Sequence, residues 1–204
     1  MYKKAIFILA IIFSSTIFYA QDKKHKTEFG FDYGFGNEIK NKDFAHTNTY
    51  YKLEFYYTLK ESKKFKYELL VQPEINFATH QLLNVNFIRE DDPDYLEKRQ
   101  KFSNLRDINE YVLNVGFIMR KPISRSFSVY LLGSIGPMIM DKETERLSEG
   151  FAFSDVLALG FSFKINKIAL DLRPNIRHVS NAGLQSPNLG FNTINLEFGF
   201  YFPI

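Results

Sequence analysis

Apolar and polar side chains alternate with a period of two along most of this chain, and that pattern limits it to strands with two unlike faces. In residues 27–36 one parity reads Phe29, Phe31, Tyr33, Phe35, and the other reads Glu28, Gly30, Asp32, Gly34. Tyr51, Leu53, Phe55, Tyr57 and Leu59 repeat it, as do Phe65, Tyr67, Leu69 and Val71. A fourth stretch carries Tyr111, Leu113, Val115, Phe117 and Met119, and a fifth Phe127, Val129, Leu131 and Ile135. The sixth carries Phe153, Leu157, Leu159, Phe161 and Phe163. The seventh has Ile168, Leu170 and Leu172, and the last Ile194, Leu196, Phe198, Phe200 and Phe202. Eight strands are therefore expected.

The connections between them sort by parity. Stretches 37–48, 78–109, 140–149 and 181–191 read as long loops, whereas 60–64, 120–126 and 164–167 read as short turns. Short turns at one end and long loops at the other are the pattern of an outer-membrane barrel. The expected fold is thus all-β, an eight-stranded antiparallel transmembrane β-barrel whose closure leaves no unpaired edge in lipid. Alternation alone fits a soluble ligand-carrying barrel equally well, with its Phe-rich face turned inward. The membrane reading is preferred because the opposite parity mixes charges with Gly, Ser and Ala, a composition suited to a crowded polar lumen. Pro73, Pro137 and Pro174 each remove a ladder donor, so bulges or strand ends are expected there.

Lys3 and Lys4 precede an apolar run that fades toward Ala20, which reads as a secretory signal peptide over residues 1–20, with the barrel over 21–204. A membrane anchor is the competing reading, but the run is short and becomes polar in its second half. The chain has no Cys, which excludes a disulfide framework, thiolate metal ligation and a cysteine nucleophile. Lys and Arg number 26 against 23 Asp and Glu, and two of those lysines lie in the leader. So even a balance gives no reason to expect nucleic acid as a partner.

Chemistry is most legible after the seventh stretch. If alternation runs unbroken through Pro174, then Ile176, His178 and Ser180 share the apolar face. Two polar residues on an apolar stripe break the pattern, and such breaks concentrate at functional sites. Side chains two apart on a strand project from one face with α-carbons about 7 Å apart, near enough for an imidazole to reach a hydroxyl. A serine hydroxyl needs a base to become a nucleophile, and histidine is the usual one. The pair suits acyl transfer. A strand-end His and Ser with no other context would more commonly be plain rim residues.

The run His178-Val179-Ser180-Asn181-Ala182-Gly183, with Pro187-Asn188 and Gly190, resembles the lipid A 3-O-deacylase family, outer-membrane β-barrel esterases of the PagL type. The motif covers about fifteen residues, and the strand layout extends the likeness over the mature chain. The resemblance implies Ser180 as nucleophile, His178 as general base, and Asn181 and Gly183 as contributors to the oxyanion hole. It also implies lipid A, or lipopolysaccharide, in the outer leaflet as substrate, with the ester-linked 3-hydroxyacyl chain at position 3 as the bond cut. Neither a metal nor an organic cofactor is needed for that chemistry.

The likeness fails where a Glu is expected twelve residues after the serine, since Asn192 stands there. An amide can accept a bond from the ring but supplies no charge. Asp155, on the apolar parity of the sixth strand, is the substitute expected opposite or diagonal to His178, with the His178–Asn192 arrangement as its equal and Glu197 on the lumen parity a weaker choice. Arg173 and Arg177 share the lumen parity and are expected to pair with Asp171, Glu197 or Glu54, with Arg177 also a candidate for a lipid phosphate. His25, His46 and His80 read as tail and loop residues. The acidic run around Asp91, Asp92 and Asp94 reads as a solvated loop rather than a cation site. The rival function is a non-catalytic structural or adhesive barrel that acts through its longest loop.

Overall fold

The computed structural model describes residues 26–39 and 41–204, so the expected signal peptide lies outside the described residues. Eight strands pair in chain order and close on themselves: β1 (Thr27–Glu38), β2 (Phe44–Glu61), β3 (Lys66–Leu82), β4 (Arg106–Pro122), β5 (Phe127–Met140), β6 (Gly150–Ile165), β7 (Ile168–Ser180) and β8 (Phe191–Pro203). The closing pair, β1 with β8, is antiparallel like every other. No helix among the described residues is long and apolar enough to cross a membrane, and the barrel offers strands instead.

Burial decides which parity faces where. Asp32, Glu54, Glu68, Gln72, Asn76, Glu110, Asn114 and Arg173 are wholly buried, while Phe35, Leu53, Phe77, Val115 and Phe198 stand exposed on the outer wall. A soluble barrel would show the reverse. Charges inside and aromatics outside are the distribution that lipid demands. The soluble-carrier reading is thereby set aside.

The lumen is filled by side chains, as expected at this strand number. Arg173 is its hub, with Nη1 at 2.8 Å from Glu54, 3.0 Å from Glu197 and 3.2 Å from Asp32, and Nη2 at 3.0 Å from Asp171. Arg177 is buried with Glu110 at 2.8 Å and Glu74 at 3.1 Å, so it is a lumen residue and not a contact for lipid phosphate. Lys52 bridges the two groups through Glu197 and Glu74. Room for the large rings comes from small residues on the same parity: a Cβ at Gly160 would lie 1.9 Å from the Tyr130 ring.

Pro73, Pro137 and Pro174 neither end strands nor introduce bulges. The pairing offset is the same on both sides of Pro73 against β2, of Pro137 against β4 and of Pro174 against β6. Each interrupts one neighbouring ladder and still pairs on the other side, with Leu113, Phe153 and Leu196 respectively. In β2 against β3 the register shifts only between Thr58 and Lys60. The strands also run further than the alternation alone suggested. β1 and β2 extend into the expected first loop and leave only residues 39–43 between them, and β3 and β4 shorten the second to 83–105. That loop holds a 3₁₀ turn (Val85–Phe87) and a helix, α1 (Tyr95–Ser103), whose Phe102 packs with Leu82 and Ile88. Its charged stretch pairs internally, Arg89 with Asp91 at 3.0 Å on the surface.

The β5–β6 loop, residues 141–149, folds back into the outer mouth of the barrel. Leu147 is fully buried there among Phe44, Ile108, Met140, Val179 and Phe191. Beside it, Glu145 accepts from His80 Nε2 at 2.9 Å, and His80 Nδ1 lies 3.2 Å from His46 Nδ1. His46 and His80 are thus interior strand residues, not loop residues. Alternation assigns a residue to a face only within a recognised strand, and both lie beyond the apolar runs that marked β2 and β3.

Candidate active site

Because alternation passes through Pro174 without a slip, Arg177 and Val179 point into the lumen, and His178 and Ser180 emerge half-buried on the outer wall. They stand at the loop-bearing end of β7. Across the sheet His178 pairs with Asp155 of β6 on one side and Asn192 of β8 on the other, and Ser180 pairs with Phe153. The structure therefore collects Asp155, His178, Ser180 and Asn192 on one patch of three neighbouring strands.

His178 Nδ1 lies 2.8 Å from the side-chain oxygen of Asn192. An acceptor at Nδ1 keeps the proton on that nitrogen, which leaves Nε2 with the free lone pair that a general base requires. Among the described residues, neither Nε2 nor the Ser180 hydroxyl has a hydrogen-bond partner, so both are free to engage one another and a substrate. Asp155 faces the ring but forms no hydrogen bond or ion pair with it, and its Oδ1 is sequestered without a partner. The direct bond to the imidazole is thus made by Asn192, with Asp155 an adjacent carboxylate. Glu197, by contrast, is spent in the lumen on Lys52 and Arg173.

The β7–β8 loop, residues 181–190, is organised around the buried Asn181. Its Nδ2 donates to Ser148 Oγ at 2.9 Å, to the Gln185 carbonyl at 3.0 Å and to the Pro187 carbonyl at 3.2 Å, and its Oδ1 accepts from Gly183 N at 3.0 Å. Its own backbone N–H donates to Asn188 Oδ1 at 2.8 Å. Both residues expected at an oxyanion hole have their donors engaged, within this loop and, at Ser148, by the β5–β6 loop. Gly190 closes the loop at φ +60°, where a Cβ would lie 2.5 Å from the Val179 carbonyl and 3.4 Å from both His178 Cε1 and Ser180 Cβ. Only glycine fits this approach, which brings the loop backbone alongside the strand that carries the two side chains. Among the described residues, no group of three or more His, Asp and Glu side chains is arranged to hold a metal ion.

The family described as lipid A 3-O-deacylase (PagL) matches residues 25–201, nearly the whole described chain. The chain belongs to this family. Among solved structures, that of the outer-membrane enzyme PagL superposes with a TM-score of 0.59 at 13% identity, covering 86% of this chain and 99% of the other. Neisserial surface protein A follows with a TM-score of 0.50 at 10% identity, covering 88% and 97%. At such identities both likenesses speak for the fold alone. No curated protein matches the sequence. As a PagL-family barrel with an apolar outer wall, the chain resides in the bacterial outer membrane, and its lipid-facing His178–Ser180 patch lies within the matched region.

The sequence pointed to the patch through one broken stripe and one short motif. Arg146, which donates to the Gly190 carbonyl at 2.7 Å, has no place in the sequence reading, and Asn188, which occupies the amide of Asn181, stands there in the motif without a role. No local pattern marks Arg146, since its neighbour is 44 residues away.

Proposed function

We propose that this protein hydrolyses the ester bond of the 3-hydroxyacyl chain at position 3 of lipid A, with Ser180 as nucleophile and His178 as general base. The observation that carries the reading is a serine hydroxyl and an imidazole Nε2, both without partners, on the lipid-facing wall, with Nδ1 held by Asn192. Substrate reaches such a patch by lateral diffusion in the outer leaflet. Ser180 Oγ adds to the ester carbonyl as its proton passes to Nε2. The tetrahedral intermediate then collapses, the imidazolium returns that proton to the departing sugar hydroxyl, and an acyl-serine remains. Water, deprotonated by the same Nε2, releases the 3-hydroxy fatty acid and restores the serine.

Two groups complete the scheme. Asp155, paired across the sheet with His178, supplies the negative charge that Asn192 lacks and favours the imidazolium formed on attack. The amide of Asn181, next to the nucleophile, stabilises the oxyanion once substrate displaces the exposed Asn188 side chain from it, while Gly183 holds Asn181 in place. The acyl chain lies along the outer wall, where the register continues from Ser180 to Phe153 and on to Pro137, at the edge of a shallow apolar groove reaching Leu113 and Pro73.

The deciding experiment is mass spectrometry of lipid A from cells expressing the protein. Loss of one ester-linked hydroxyacyl chain with the wild type, and none with Ser180→Ala, supports the esterase. A second reading, a non-catalytic barrel, is favoured by one observation: the imidazole has no anionic partner within ion-pair distance. Unchanged lipid A in cells that hold correctly folded wild-type barrel would decide for it.

A further inference from the structure

Gly190 is where the β5–β6 loop meets the site. Arg146 grips this stretch from two sides: its Nε donates to the Gly190 carbonyl at 2.7 Å, and its own carbonyl accepts from Leu189 N at 2.8 Å. The guanidinium also lies over the rings of Phe44 and Phe87, 4.9 and 5.3 Å from their centroids. Its backbone is held from both neighbours, Glu145 by His80 within the barrel mouth and Leu147 in the apolar plug. Thr144 Oγ1 accepts from the N–H of Arg146 at 3.2 Å and of Leu147 at 3.0 Å, fixing the turn between them.

We propose that Arg146 is a positioning residue for the reaction, setting the height of Gly190 and through it the approach of His178 to Ser180. The inference rests on the esterase reading above. A Cβ at Gly190 would lie only 2.5 Å from the Val179 carbonyl and 3.4 Å from His178 Cε1 and Ser180 Cβ, so the space between this backbone and the pair is no more than one carbon wide, and a shift of Gly190 toward β7 closes it. Misplacing a reacting pair by a fraction of an ångström lowers the rate without weakening the hold on a substrate bound mainly through its acyl chain. Arg146 itself has no part in proton transfer.

The test uses the full barrel folded in detergent micelles and a 4-nitrophenyl ester of a 3-hydroxy fatty acid. For Arg146→Ala, kcat is expected to fall roughly 10- to 100-fold with KM little changed. Arg146→Lys, which keeps a donor within reach of the Gly190 carbonyl, is expected to recover most of the rate. A nuclear Overhauser contact between the His178 Cε1 proton and the Gly190 α-protons should persist in the wild type and Arg146→Lys and vanish in Arg146→Ala. If Arg146→Ala does not fold, Arg146→Gln, which keeps a donor, and Arg146→Met, which keeps length without one, carry the same comparison. Wild-type kcat in the donor-less variant, a loss confined to KM, or an unchanged contact overturns the inference. A wild type inactive on the ester overturns the esterase reading instead, and the magnetic contact then still decides whether Arg146 holds Gly190 against His178.

Discussion

Asp155 and His178 are cross-strand partners on the lipid-facing wall, yet the imidazole gives its Nδ1 to Asn192 and leaves the carboxylate beside it unbonded. In the proposed mechanism, orientation and charge, which a single carboxylate supplies in an ordinary Ser-His-acid triad, are divided between an amide on β8 and an acid on β6. The division is testable because the two roles respond differently to substitution.

Asn192→Glu should unite them. With the ring already in the productive tautomer, the gain is that of charge alone, and kcat is expected to rise about tenfold, or about 1.4 kcal/mol of barrier. Asp155→Asn should cost about the same in the wild type and much less in the Asn192→Glu background, because a carboxylate then bonds the ring directly. Steady-state rates of the four proteins give the coupling: an unchanged rate in Asp155→Asn would exclude Asp155 from the reaction, and simple additivity would show that it shares no role with residue 192.

Asn188→Ala frees the backbone amide of Asn181 from its side-chain acceptor. If that amide meets the oxyanion, kcat should be maintained or rise a few-fold, since substrate no longer has to displace a competitor. Asn181→Ala should instead lower the rate by about tenfold or more, because the side-chain bonds that shape the loop are lost. Ester hydrolysis by the two purified variants separates the roles.

Arg173→Met removes the cation that faces Asp32, Glu54, Asp171 and Glu197 inside the barrel. Breaking a buried cluster while its opposite charges remain typically costs about 3–5 kcal/mol. The midpoint of urea unfolding in lipid vesicles should fall accordingly. Replacing Glu54 by Gln in the same chain should recover part of the loss, since fewer carboxylates are then left uncompensated.

Val115→Arg places a charge near the middle of β4 on the exposed outer wall. At the bilayer midplane this costs about 2–4 kcal/mol. The same substitution at Ile123, in the turn after β4, should cost little. Equal losses measured by unfolding in vesicles would contradict the assigned membrane position.

Strand number, the division of side chains between two faces and the place of His178 and Ser180 on the apolar one were all legible in the sequence, because side-chain direction in a strand follows from parity alone. The motif that continues from Ser180 to Gly190 carried the family. Parity could not say which face meets lipid, how far β2 and β3 run beyond their apolar cores, or that a proline would leave the register intact. Those depend on closure, where neighbouring strands share the ladder and hold a missing bond in place.

The local sequence decided the alternation and the pair of reactive groups, since both are properties of residues one or two apart. Only the tertiary structure decided that Asn192 bonds the ring while Asp155 stands next to it, because both reach His178 across strand pairings that no local pattern encodes. The same holds for Arg146 on Gly190 and for the four carboxylates gathered on Arg173. In a closed barrel residues far apart in the chain come within hydrogen-bonding distance through register, and register is a property of the whole cylinder.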